Sequence, residues 1–274
     1  MAIITISRGT FSGGQKLAEC IAAKLGYRCI SREVLVETAK EFDVSEEKLL
    51  EALTKKPWLL ERLTRARDRY LAYIRATLLK EVKDENVVYH GYAGHLLLKD
   101  APHVFRIKVI ANMEFRIKNA MERNNLSREE ALQYIREVDE GRARWTRFIY
   151  DVDWNDPNLY DLVVNLDQIA IESACEVVCH LSGMEGYQRS DLSRKVIADM
   201  VLASHLKALI AADSNISDRR VEVVADGGVV TVSGTVESIA EADRIRNIVR
   251  MEPGVAEIDS RLRVRLPVWL VGGV

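Results

Sequence analysis

Long apolar runs are missing from this 274-residue sequence. No window approaches the roughly 18 apolar residues that a membrane-spanning helix needs. The opening Met1-Ala2-Ile3-Ile4-Thr5-Ile6 has no basic n-region and reaches Ser7-Arg8 too soon for a signal peptide. The apolar tail from Pro267 to Val274 is far too short to span a bilayer. A cytoplasmic protein without a transmembrane segment is therefore expected. Charge of one sign is also missing. Up to residue 190 there are 28 Lys+Arg against 29 Asp+Glu, and beyond it 11 against 12. Neither part has the basic surplus of a nonspecific nucleic-acid binder, so no nucleic-acid partner is expected. Cysteine is scarce, at four residues. Cys175 and Cys179 stand four apart in a helical stretch and could clip a metal. No His or Cys pair lies nearby at ligand spacing, and buried thiols in a reducing cytosol are the simpler reading. The five histidines show no H-x-x-x-H spacing, and His90, His95 and His103 read as ordinary residues at strand ends. No metal site is expected from these residues.

What is present is a soluble globular balance: 48% hydrophobic and 29% charged residues, over a length that allows one large domain or two ordinary ones. Ile3-Ile4-Thr5-Ile6 is a β-branched run, followed by a Gly/Ser-rich turn from Ser7 to Gly14. Leu17, Ala18, Ile21, Ala22 and Leu25 then recur at helical spacing, with Gly26 as the stop. Further short strands are predicted over 27–30, 87–91, 104–110 and 162–165, and helices over 33–83 (broken near Pro57), 113–148 and 168–181. Ser127-Arg128-Glu129-Glu130 is a capping box. Short apolar strands alternating with helices predict a parallel sheet covered on both faces. After a linker over 183–190 the order changes. An amphipathic helix over 191–212, strands over 221–224 and 229–234, a helix over 239–250 and a strand over 256–264 form a small α+β unit.

A glycine loop between the first strand and first helix of a parallel sheet is a place to hold phosphate. Its backbone N–H groups and the helix N-terminus both favour an anion. The signature for such a loop is G-x-x-x-x-G-K-[ST]. Here the residues are Arg8-Gly9-Thr10-Phe11-Ser12-Gly13-Gly14-Gln15-Lys16, without the Gly-Lys-Ser/Thr step. From the loop alone, a plain strand–helix turn serves equally well. Further on, Arg144 and Arg147 stand three apart on one helical face, and Asp139 could orient Arg142 across one turn. From spacing alone, a charged helix face with surface ion pairs is the simpler reading.

Ile4-Thr5-Ile6-Ser7-Arg8 with Ser12-Gly13-Gly14 is similar to the I-T-I-S-R-x-x-G-S-G-G of the cytidylate kinase-like family, a branch of the P-loop nucleoside monophosphate kinases. The resemblance continues through Ser31-Arg32-Glu33, Gly91, Asp100-Ala101-Pro102, Glu114-Phe115-Arg116-Ile117, Val138-Asp139 with Arg142 and Arg144, Asp153-Trp154-Asn155-Asp156-Pro157 and Tyr160 to Asn165. It implies a P-loop kinase with a five-stranded parallel sheet and a helical lid over 1–185, using ATP and Mg²⁺. Arg8, Ser12, Gly13, Gly14 and Lys16 would hold the donor. Arg142, Arg144 and Arg147 would close on the transferring phosphoryl group. Arg32, Tyr92 and Arg116 would meet the acceptor, with Arg116 near the lid hinge or on the helix surface. Laid without gaps on the cytidylate kinase loop, Gly14 takes the place of the lysine and Lys16 that of the Mg²⁺-binding hydroxyl. Arg8 or Lys16 would substitute for the missing cation, Lys16 being equally readable as a solvated surface lysine. Phe11 stands where the branch has glycine, which narrows the loop or demands another backbone path. The family's G-R after the third strand is here Gly91-Tyr92, and its Asp-Arg-Glu is Ser31-Arg32-Glu33, which suggests a changed acceptor or none. Asp161 would help position the lid loop.

Val221-Glu222-Val223, Asp226 to Val236 with its Gly-Gly turn and S-G-T-V step, and Pro253 to Leu262 are similar to a BON domain, expected over 190–267. That resemblance implies a protein or lipid partner, with a regulatory or oligomerising role as well placed as membrane attachment. Three readings follow: an ATP-dependent nucleotide kinase with a BON tether or regulator, a nucleotide sensor without catalysis that signals through the BON domain, or, if Phe11 blocks the loop, a scaffold that binds no nucleotide.

Overall fold

A computed structural model describes residues 2–31, 33–54, 64–84, 86–91, 93–216 and 221–265. Among them, strands β1 (Ile3–Arg8), β2 (Arg28–Ile30), β3 (Val87–Tyr89), β4 (Val104–Ile110) and β5 (Leu162–Asn165) form a parallel sheet in the order β2-β3-β1-β4-β5. β1 is central, so both of its faces are covered, and Ile3, Ile4 and Ile6 are buried to 2% exposure or less. One face packs on α1 (Gly14–Leu25) and α8 (Ile171–Ser182). The other packs on α2 (Glu33–Glu41), α3 (Glu46–Thr54), α4 (Thr64–Val82) and the short α5 (Gly94–Leu97). Central β1 puts the glycine loop at the carboxyl end of the sheet, where open α/β folds bind ligands.

Local chemistry sets the helix ends. α1 stops at Gly26, whose left-handed backbone (φ 68°) lets its N–H reach the Ala22 carbonyl. α6 (Met113–Asn124) starts at Asn112, whose side chain accepts from the Phe115 N–H. α7 (Arg128–Tyr150) begins with the reciprocal capping box of Ser127 and Glu130. α6 and α7 pack together through Ile117, Ala120, Ala131 and Ile135, forming the helical lid beside the loop. The Asp161 carboxylate accepts from the Arg106 N–H at 2.7 Å and ties β5 to β4.

The second unit is a three-stranded sheet, β6 (Val221–Asp226), β7 (Val229–Val236) and β8 (Glu257–Val264) in that order, covered by α9 (Asp191–Ala212) and α10 (Ile239–Met251). α9 differs from the amphipathic helix expected of it, because it is buried on two sides. Leu206 and Ile210 enter the core under the small sheet. Ile197 enters the core of the large domain, and Ala208 and Ala211 meet Tyr73 and Ala76 of α4. A helix apolar on more than one face is one that packs on more than one side. The linker is docked as well: Tyr187 lies on Phe105 of β4 at 4.4 Å between ring centres. No helix among the described residues is long and apolar enough to cross a membrane.

Candidate active site

The loop between β1 and α1 is braced from outside by the lid helices. Arg116 of α6 donates through Nε to the Thr10 carbonyl at 2.7 Å and through Nη2 to Asp139 of α7. Asp139 accepts from the Thr10 N–H at 3.1 Å and its hydroxyl at 2.7 Å. Arg142, one turn further along α7, donates to the Arg8 carbonyl at 2.9 Å and lies 3.9 Å from Asp139. The dominant partners of Asp139 are thus Arg116 and Thr10, with Arg142 at the edge. A Cβ at Gly9 would lie 3.3 Å from the Arg116 guanidinium, so a larger residue there would push on the brace. Phe11 takes the left-handed backbone (φ 59°) that glycine adopts without strain, at a cost of about 1 kcal/mol. Its ring leaves the loop for the α6–α7 cluster, 6.0 Å from Tyr134. The loop therefore keeps a glycine-like path with a bulky residue in it.

Gly14 opens α1, and a Cβ there would lie 2.8 Å from Cβ and Cδ of Arg8. The Arg8 side chain crosses Gly14 and fills the space that a residue in the lysine's place would use. Lys16 is exposed on the first turn of α1. Of the two substitutes expected, Arg8 is the one at the cavity.

That cavity, of about 400 Å³, opens at the carboxyl ends of β1 and β3. Arg8 and Arg142 give it a positive corner. Tyr89, Trp145 and Trp154 supply aromatic walls, and Leu35 of α2 and Leu50 of α3 an apolar one. Ser7, Ser31, Glu46, Glu47, His90, His95 and Thr146 complete its polar lining. Arg144 and Arg147 are outside this lining: Arg144 is exposed and pairs with Glu140 at 3.3 Å, and Arg147 is exposed and pairs with Asp153 at 3.6 Å. The spacing of three puts them on a common face, but that face is turned to solvent. Arg116 is spent on the loop. Ser12 is buried under the loop with its hydroxyl on the Val109 carbonyl at 3.4 Å, and Gly13 supplies the left-handed N-cap of α1. Arg32 and Tyr92 lie outside the described residues.

Beneath the cavity is a polar group that sequence reasoning passed over. The Tyr160 hydroxyl reaches the Trp154 carbonyl at 2.8 Å, Ser7 Oγ at 3.3 Å and His95 Nε2 at 3.3 Å. Lys108 of β4 lies under Trp154. A readable signal existed, a lysine inside a strand expected to be buried on both faces. Burial, then the charges of Lys108 and Arg106, pushes His95 down to about 3. The folded protein thus keeps His95 neutral at a pH where the unfolded chain protonates it. Stability should fall as pH drops from about 6.5 towards 3, by up to about 1.4 kcal/mol per unit from this group. Urea unfolding of wild type and His95→Asn at pH 7.5, 6 and 5 should show a shallower acid slope in the variant. Equal slopes would remove His95 as the cause.

The model of the cytidylate kinase-like family matches residues 3–168. The chain belongs to the cytidylate kinase-like family. A cytidylate kinase of Ignicoccus hospitalis is 30% identical over 182 residues, covering 65% of this chain and 97% of that protein. The crystal structure of an uncharacterized protein from Eubacterium ventriosum shares the fold, with a TM-score of 0.51 and 20% identity over 66% of this chain and 98% of that one. The BON domain model matches residues 198–265. Within the same region, osmotically-inducible protein Y of Escherichia coli is 36% identical over 67 residues, 24% of this chain and 33% of that protein. The cytidylate kinase-like domain thus carries a BON domain, and α9 contributes to the cores of both. Among the described residues, no cluster of three or more His, Cys, Asp or Glu side chains is placed to hold a metal ion.

Proposed function

We propose that the protein is an ATP-dependent phosphotransferase of the nucleoside monophosphate kinase class, with the cavity as its acceptor site. One observation carries this: Arg8 from the glycine loop and Arg142 from the lid converge on a single cavity that also has an aromatic wall of Tyr89, Trp145 and Trp154 and an apolar one of Leu35 and Leu50. A nucleoside monophosphate presents the matching parts, a dianionic phosphate and a flat base. The donor phosphates would lie against the glycine loop at the N-terminus of α1, where Gly13 is the left-handed N-cap and the helix dipole favours an anion. Phosphoryl transfer asks little covalent chemistry of a protein. It asks for alignment and for positive charge around the moving group, which Arg8 and Arg142 would supply. The loop fits phosphate, but the chain offers no hydroxyl at the first turn of α1 for Mg²⁺, since Lys16 stands there. The ion would arrive on the nucleotide, adding its charge to the phosphates. Gly91 shapes the acceptor side: a Cβ there would lie 2.3 Å from the Tyr89 hydroxyl oxygen. The BON domain would act as a regulatory or tethering module for a protein or lipid partner, in contact with the kinase-like domain through α9 and α4.

The test is transfer of labelled γ-phosphate from Mg-ATP to CMP, dCMP, UMP and AMP. Transfer to one of them is the expected result and would name the acceptor. Binding of ATP with no transfer to any would leave a nucleotide-binding protein in place of this kinase.

A further inference from the structure

The glycine loop has no lysine, yet one lysine is buried at the same end of the sheet. Lys108 of β4 stands in register with Ser7 of β1 and is 4% exposed. Its Nζ lies 3.2 Å from the Trp154 carbonyl oxygen, 3.2 Å from the centre of the Trp154 ring and 5.4 Å from that of Tyr160. An ammonium has three N–H groups to place. Among the described residues Lys108 finds one acceptor, the Trp154 carbonyl, and no carboxylate within 4.0 Å. A lone buried ammonium is costly, and a packed apolar residue would serve the strand better. Ser7 and Trp154, which flank Lys108, both line the cavity. The same indole lies 5.8 Å from the Arg142 guanidinium. Trp154 belongs to the irregular segment between α7 and the turn at Pro157, not to a helix or strand that would fix it.

We propose that Lys108 is an anion-binding residue of the cavity, joining Arg8 and Arg142 on the oxygens of a bound phosphate ester when the ligand displaces Trp154. The proposal rests on the reading of the cavity as a site for a phosphate-bearing acceptor. The groups around Lys108 are Arg116 from α6, Asp139 and Arg142 from α7, Asp153 from the segment after it, His95 from α5 and Tyr160. Burial is the largest influence and lowers the ammonium to about 7. Asp139 and Asp153 oppose it, while Arg142 and Arg116 add to it. His95 stays neutral, and Tyr160 is held protonated by burial up to about 12. Lys108 is therefore charged below pH 7 and loses its charge above it, so anion binding should weaken as pH rises.

The experiment follows tryptophan fluorescence of the full chain while titrating CMP and, separately, inorganic sulfate, from pH 7 to pH 9. Sulfate has no ionisation in that window, and the CMP phosphate is already a dianion. In the wild type, affinity should fall about tenfold per unit above pH 7. Lys108→Arg, charged throughout, should bind with no such fall. Lys108→Met, checked for folding by circular dichroism, should bind at least about tenfold more weakly at pH 7. Sulfate binding with this slope but no CMP binding would keep the Lys108 site and sink the nucleoside monophosphate reading. CMP binding that is flat with pH, or falls equally in Lys108→Arg, would sink Lys108 and keep the nucleotide. Binding of neither probe would overturn both.

Discussion

Arg142→Ala is expected to lower phosphoryl transfer by about 100- to 1,000-fold, the loss seen when one preorganised donor is taken from a charged transition state. Arg142 is the lid arginine that lines the cavity, and its Nη1 is held by the Arg8 carbonyl at 2.9 Å. Removing it takes a charge from the transferring group and loosens the lid from the loop in one step. Loss of the charged hydrogen bond to the Arg8 carbonyl should cost about 1.5–3 kcal/mol. The signature is therefore a loss of activity in a protein that circular dichroism still shows folded at the assay temperature. Arg142→Lys should recover only part of the rate, because an ammonium cannot reproduce the planar fork. Arg144→Ala is the contrast. Its partner Glu140 lies on the solvent side one turn away, and such exposed pairs are worth about 0.5 kcal/mol. Transfer should stay within about threefold of wild type, since at most this much energy is involved. Steady-state rates for the three variants decide the matter. An equal loss in Arg144→Ala would mean that the lid reorganises so that the outer arginine turns inward.

Restoring the lysine that the loop lacks should damage the protein. In Gly14→Lys, as in Gly14→Ala, a Cβ would meet Arg8 at 2.8 Å from its Cβ and again from its Cδ. The Cδ can swing away, but the Arg8 Cβ is fixed by the backbone of β1, the central strand. Relief needs a shift of β1 or of the α1 N-terminus, and overpacking of this kind costs about 1–3 kcal/mol. Both variants should lose about that much unfolding free energy in urea titrations and lose ATP-dependent thermal stabilisation, since the amides of the loop would move with α1. A Gly14→Lys protein that binds ATP more tightly would show that Arg8 is not the cation of this loop. The two residues are packed as a pair: a side chain at the end of the strand takes the space that a helix residue fills in the G-K-[ST] form of the motif.

The pH dependence of stability has a related origin. Polar groups at the carboxyl end of the sheet are buried under Trp154 and Tyr160, where desolvation outweighs nearby charge. His95 is held neutral there, and its Nδ1 has no hydrogen-bond partner among the described residues. Such an arrangement is poor for stability and suited to a site that waits for a polar ligand.

Much was written into the chain at short range. The β-branched run before the loop, the capping box at Ser127, the stop at Gly26 and the turn at Gly227-Gly228 are local signals, because strand propensity, caps and left-handed turns depend on a few neighbouring residues. They were enough for the alternating order of the first unit and the α-β-β-α-β order of the second, while the family resemblance rested on the ordered motifs from Ile4 to Asn165. The position of the missing lysine was also readable, since it is a matter of register within one loop.

Which arginine faces the cavity was not readable. Arg142, Arg144 and Arg147 lie within two turns of one helix, and only the packing of α7 on α6 and on the loop selects Arg142 and sends the others to solvent. The same holds for Arg116, which joins Thr10 across 106 residues of sequence, and for α9, whose second buried side is explained only when both units pack on it. Lys108 and Trp154 are 46 residues apart and meet because β4 and the segment before β5 are brought to one end of the sheet. Local signals determined the elements and the kind of site. The tertiary structure decided which side chains converge, because convergence is set by burial and distance between elements, and neither is a property of neighbouring residues.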